Sequence, residues 1–177
     1  MAHLGGLPLH DALGALPYLK AAPGRMQTVH GHPTGARVVV DYAHTPDALE
    51  KALQALRVHC QGELWAVFGC GGDRDIGKRA EMGSIAQACA DQVIITSDNP
   101  RSEDPQQIID HIIEGTSREV VVEPDRRAAI RQAILEADKN DVVLIAGKGH
   151  EDYQIIGADR RPFDDAQQVR VALGLAP

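Results

Sequence analysis

Four short polar runs hold many of the residues in this chain that can do chemistry: DYAHTPD at 41–47, GCGGDRDIGKR at 69–79, SDNPR at 97–101 and GKGHEDY at 147–153. Arg74 and Arg101 carry planar guanidinium forks that match carboxylates. Asp98 and Glu151 can accept hydrogen bonds from an ammonium group. Gly71, Gly72, Gly147 and Gly149 let backbone N–H groups approach a ligand closely. Both signs of charge in one set suit a zwitterion better than a polyphosphate. The second run nearly spells a P-loop, since Gly72, four residues, Gly77 and Lys78 fall in that pattern. Arg79, however, stands where Ser or Thr would hold a magnesium ion. The loop therefore reads as an amino-acid anchor, with Arg74 gripping a carboxylate.

Plainer roles stand beside these. Asp73 and Asp75 can cap the helix that follows, with Arg74 paired to them at the surface. Asp98, Asn99 and Pro100 can form only a turn. Lys148, between two glycines, can simply be solvated. His30 and His32 flank a glycine without a third ligand nearby, which favours a turn; no metal ligands are assigned in this chain. Cys60, Cys70 and Cys89 are odd in number and lack zinc or redox spacing, so reduced cysteines are expected. Cys70 lies in the glycine loop and is either a small packing residue or a reactive thiol.

The elements that must position these runs follow from the apolar pattern. Strands are expected at 36–42, 63–69, 92–97, 119–123 and 141–147, where short apolar, β-branched runs recur. Helices are expected at 46–60, 78–90, 105–115, 125–137 and 164–174. Pro46 suits a first turn, Asp125 an N-cap and Gly115 a helix end. Continuously apolar strands alternating with helices predict an α/β doubly wound domain, its mostly parallel sheet covered on both faces. Each polar run falls just after a strand. Parallel strands would bring all four runs to one rim, where open α/β sheets bind ligands. Residues 1–24 differ: Pro8, Pro17 and Pro23 limit any helix, and the segment reads as a linker or the tail of a preceding domain.

Composition narrows the partners. The 177 residues carry a net charge of −7 and only 3% aromatics, with neither the basic face nor the stacking rings of a nucleic-acid binder. No apolar run is long enough to cross a bilayer, and MAHLGGLPLH lacks the form of a signal peptide, so a cytoplasmic protein is expected. A dinucleotide-binding oxidoreductase would need G-x-G-x-x-G after the first strand, which here leads into DYAHTPD. A stand-alone amino-acid-binding module stays open.

In order and spacing, DYAHTPDAL, GCGGDRDIGKR, SDNPR and AGKGHEDYQ resemble the C-terminal domain of the Mur ligase family over roughly residues 23–177. The resemblance implies a Rossmann-like fold that brings the incoming amino acid to an ATP-dependent amide-forming ligase of peptidoglycan synthesis. It also implies that the true P-loop and the Mg2+ ligands belong to a central domain, whose end is expected at residues 1–22. Relatives that add meso-diaminopimelate to UDP-N-acetylmuramoyl-L-alanyl-D-glutamate carry Asp-Asn-Pro-Arg, as here at Asp98, Asn99, Pro100 and Arg101. Lysine-adding relatives differ at the arginine, and a sister ligase adding lysine or another amino acid is the alternative. A second carboxylate at the far end of diaminopimelate explains the arginine, because a site that buries a charge rejects a ligand lacking the counter-charge. By this resemblance Arg74, Asp98, Asn99, Pro100, Arg101, Gly147 and Glu151 hold the amino acid. Arg25, Asp41 and His44 lie toward ATP, with Arg25 reaching its phosphates and Asp41 its ribose. Pro23-Gly24 is the expected hinge of a mobile lid.

Overall fold

The apolar runs become strands because both of their faces find a helical layer to pack on. The computed structural model describes Asp11, Gly14 and residues 22–176. The strands are β1 (Gln27–Val29), β2 (Arg37–Asp41), β3 (Leu64–Phe68), β4 (Gln92–Ile95), β5 (Val121–Val122), β6 (Val142–Ala146), β7 (Tyr153–Ile156) and β8 (Asp159–Pro162). The helices are α1 (Pro46–Arg57), α2 (Gly77–Cys89), α3 (Pro105–Ile113), α4 (Arg126–Glu136) and α5 (Asp165–Ala172). The first six strands form one sheet in the order β1-β2-β6-β3-β4-β5. All pairs in it are parallel except β1 with β2. The expectation of a linker or domain tail over 1–22 falls outside the described residues, apart from Asp11, Gly14 and Ala22.

Handedness dictates the layers. The chain steps from β2 through α1, α2 and α3 to β5, then returns through α4 to place β6 between β2 and β3. Right-handed crossovers in opposite directions must lie on opposite faces. Leu49, Leu53, Met82, Ile109 and Ile112 accordingly pack on one face with Ala66, Phe68 and Leu144. Ile130, Ala133 and Val169 pack on the other with Val67, Ile145 and Val40. The alternation within β3 and β6 feeds both cores, since successive side chains point to opposite faces.

Local signals set the boundaries. Thr45 caps α1 by accepting from Ala48 N, and Pro46 opens the helix. Asp104 and Asp125 cap α3 and α4 in the same way. The strand expected at 119–123 shrinks to Val121–Val122, both exposed at the sheet edge, because only β4 pairs with it. Two elements went unanticipated. The strand β1 is a short antiparallel edge, and β7 with β8 makes a separate hairpin closed by Gly157-Ala158.

Candidate functional site

At the carboxyl edge of the parallel strands, the four polar runs meet around a cleft of about 310 Å³. Tyr42, His44 and Thr45 follow β2, and Gly69, Cys70, Gly71, Arg74 and Lys78 follow β3. Asp98, Asn99 and Arg101 follow β4, and Gly147, Glu151 and Tyr153 follow β6. Because β6 lies between β2 and β3 and sends its next helix to the opposite face, a crevice opens at its end.

Arg79 explains the departure from a P-loop. Its side chain is fully buried, and its guanidinium forks onto Glu103 at 2.9 and 2.8 Å. It also donates to Gly71 O at 3.3 Å and meets His111 Nδ1 at 3.0 Å. Glu103 in turn accepts from Asp73 N. The residue where a P-loop holds magnesium thus braces the glycine loop from beneath. The Arg79 bond holds the Glu103 carboxyl below its usual range. Asp75 accepts from Gly77 N at the start of α2, whose N-cap is Ile76, while Asp73 receives Ser102 Oγ at 2.6 Å. Arg74 is exposed and donates to Asp73 O at 2.9 Å, so its fork remains at the rim.

The 98–101 run is more than a turn. Asp98 and Asn99 are buried, with Asp98 Oδ1 3.0 Å from Lys148 Nζ. Lys148 is itself fully buried, which overturns the reading of a solvated lysine. Burial pushes the Lys148 ammonium below its ordinary value, and the Asp98 carboxylate opposes that shift. Arg101 has φ 53°, a left-handed conformation that costs a non-glycine residue free energy. Two backbone bonds with the hairpin hold it there, Arg101 N to Ile155 O at 3.1 Å and Gly157 N to Arg101 O at 2.7 Å. Its Nη1 donates to Gly72 O at 2.9 Å and Asn99 O at 3.3 Å. Pro100 faces away, into a separate hollow with Pro105, Pro124 and Phe163, so it shapes the loop and does not line the cleft.

The remaining expected residues lie at the end of β2 and in the segment before β1. His44 lines the cleft, its Nδ1 2.8 Å from Tyr42 O. Arg25 stacks over the Tyr42 ring, 4.6 Å from its centroid. Asp41 is 9% exposed, and its two oxygens accept from Met26 N at 2.7 Å and Ala43 N at 2.8 Å. It therefore pins the segment at Met26 to the end of β2, beside the cleft and not within its lining. Gly24 and Gly149 press together, and a Cβ on Gly24 would come within 2.0 Å of Gly149 C. Cys70 is buried, which pushes its thiol up to about 12, and it packs in the core beside Met82. His32 meets Ile134 O at 2.8 Å through Nε2, as a turn residue tied to α4. Among the described residues no group of three His, Cys, Asp or Glu side chains is placed to hold a metal ion.

A doubly wound sheet with a charged cleft at its carboxyl edge, the edge where such sheets bind ligands, defines a domain of the α/β class. A family model described as "Mur ligase, glutamate ligase domain" matches residues 24–149, and the chain belongs to that family. It is 58% identical over 170 residues to the UDP-N-acetylmuramoyl-L-alanyl-D-glutamate–2,6-diaminopimelate ligase of Synechococcus elongatus, covering 95% of this chain and 34% of that protein. The enzyme of the same name from Thermosynechococcus vestitus is 56% identical over 171 residues, with 95% and 34% covered. A solved structure of a ligase of that name superposes with TM-score 0.82 at 46% identity, over 98% of this chain and 36% of the other. The chain spans about a third of the length of the curated relatives it matches.

Proposed function

We propose that this chain is the C-terminal domain of an ATP-dependent ligase that joins meso-diaminopimelate to UDP-N-acetylmuramoyl-L-alanyl-D-glutamate. One observation carries the reading: Arg74, Asp98, Arg101 and Glu151, drawn from three separate polar runs, line a single cleft. Opposite charges in that space fit a ligand with carboxylates and ammonium groups. Arg74 and Arg101 take carboxylates, and Glu151 and Asp98 face an ammonium. With its far end held, the near amine of the ligand points to an acyl carbon presented by the rest of the ligase. Such orientation lowers a barrier by several kcal/mol. Asn99, Gly147 and the backbone set by Pro100 complete the amino-acid side.

ATP approaches from the junction. Arg25, Asp41 and His44 are its contacts in this reading, and Arg25 is free to swing from Tyr42 toward the phosphates. In this reading the magnesium ligands, the P-loop and the UDP-muropeptide site belong to the remainder of the ligase. The reaction is placed in the cytoplasm, and no described helix is long and apolar enough to cross a membrane. The test is calorimetric titration of this chain, and of the full ligase, with meso-diaminopimelate and with L-lysine. Binding of diaminopimelate that Arg101→Ala weakens about 10-fold or more supports the reading. Equal affinity for lysine refutes it and favours the lysine-adding sister.

A further inference from the structure

Lys148 has no exposed side-chain surface, yet it holds residues that line the cleft. Its Nζ donates to Asn99 Oδ1 at 2.9 Å and to Tyr153 O at 2.9 Å, and lies 3.0 Å from Asp98 Oδ1. Asn99 Oδ1 accepts a second bond from Ile155 N at 3.0 Å. Two donors on that oxygen leave the amide a single orientation, with its NH2 turned to the other side. There Asn99 Nδ2 donates to Glu151 Oε2 at 2.9 Å.

We propose that Lys148 is a positioning residue: it locks Asn99, and through Asn99 it fixes the Glu151 carboxylate that receives the ligand's ammonium. The relay runs from a buried cation, through one amide, to a half-buried anion in the cleft. Glu151 Oε2 is tethered to Asn99, and Oε1 is the oxygen assigned to the ligand's ammonium. Lys148 also neutralises Asp98, so two carboxylates can stand beside one ligand ammonium without an excess of buried negative charge. This inference rests on the reading of the cleft as an amino-acid site of a ligase.

The test is a double-mutant cycle between Lys148→Met and Glu151→Gln in the full-length ligase, read as KM for each substrate and kcat. Lys148→Met is expected to raise the KM for meso-diaminopimelate about 10- to 100-fold, the scale of a lost charged hydrogen bond, and to leave the KM for ATP unchanged. In the Glu151→Gln background the same substitution should add less than it costs alone, because the route through Asn99 is already cut and only the Asp98 pairing remains to be lost. A merely structural lysine would give additive effects, or losses spread over both substrates, and either result overturns the proposal. If Lys148→Met does not fold, Asn99→Ala removes the relay and keeps the Lys148–Asp98 pair; additivity with Glu151→Gln then overturns the proposal equally. A wild-type enzyme that ignores diaminopimelate but uses another amino acid refutes the substrate, and the cycle run with that amino acid still decides the role of Lys148.

Discussion

Gly72 is where the glycine loop meets the 98–101 loop, and one methyl group there tests how tightly the two interlock. A Cβ on Gly72 would lie 1.9 Å from Pro100 O and 2.8 Å from Pro100 C, whereas real Cβ contacts stay above 3.0 Å. The two backbones must therefore part by about 1 Å or more. Gly72 is not among the glycines with positive φ, so alanine suffers no conformational penalty of its own. The separation breaks Gly72 N to Asn99 O and Arg101 Nη1 to Gly72 O, each 2.9 Å long. One neutral and one charged hydrogen bond, together with the overpacking, amount to about 3 kcal/mol. For a chain of this size that lowers Tm by roughly 6–12 °C. A displacement near 1 Å at Arg101 also spoils the charged contact proposed for the ligand, which should weaken binding of meso-diaminopimelate about 10-fold or more. Thermal unfolding by circular dichroism and calorimetric titration with meso-diaminopimelate read the two effects separately. An alanine variant with unchanged Tm and unchanged affinity would refute the view that the cleft depends on this contact.

Two further perturbations probe what braces the cleft. Arg126 and Asp165 are both fully buried and meet at 2.7 Å, with Arg126 also donating to Ala146 O at 2.9 Å. Asp165→Asn should cost about 3–5 kcal/mol by urea unfolding, and Arg126→Met/Asp165→Leu should recover most of it; a single variant as stable as wild type contradicts this. Glu103, held below its usual 4.5 by Arg79, binds fewer protons folded than unfolded. Its stabilisation is therefore complete above 4.5 and lost as pH falls through the lowered folded value. Acid unfolding profiles of wild type and Glu103→Gln should differ in that window, and coincident slopes would count against the brace.

Much of the fold is legible because its strands are short, apolar and bounded by polar runs. The same runs give the cleft, since parallel strands carry their ends to one edge. What stays hidden is burial of charge. Lys148 reads as a solvated cation and nothing singles out Arg79 or Arg126 as buried, because nothing local in the sequence marks a partner 20 or more positions away. Their partners are Glu103, Asp165 and Asp98. Lys148 between two glycines carries a faint signal, in that small neighbours on both sides leave room for close packing. The hairpin was masked for a similar reason. The strand β8 reads DRRP, fully exposed and without apolar alternation, and only the two-residue turn at Gly157 hints at it.

That hairpin turns out to have a purpose the polar runs could not disclose. Arg101 must aim its guanidinium back at the glycine loop, and it does so from a left-handed backbone. Such a conformation persists only where the surroundings over-determine it. Ile155 and Gly157 supply the two backbone bonds that do so, and Ile156 forms an isolated bridge with Arg101 itself. On the other side, Ile155 N and Tyr153 O belong to the same strand and complete the cage around Asn99 and Lys148. One four-residue strand and the turn after it therefore orient Arg101 and secure the amide relay to Glu151, the groups proposed to take a carboxylate and an ammonium. In the proposed site, the spacing between the two ends of the ligand would be set by one hairpin rather than by two independent loops. Tight coupling of this kind favours a ligand of fixed length, which is what separating diaminopimelate from shorter diacids would require.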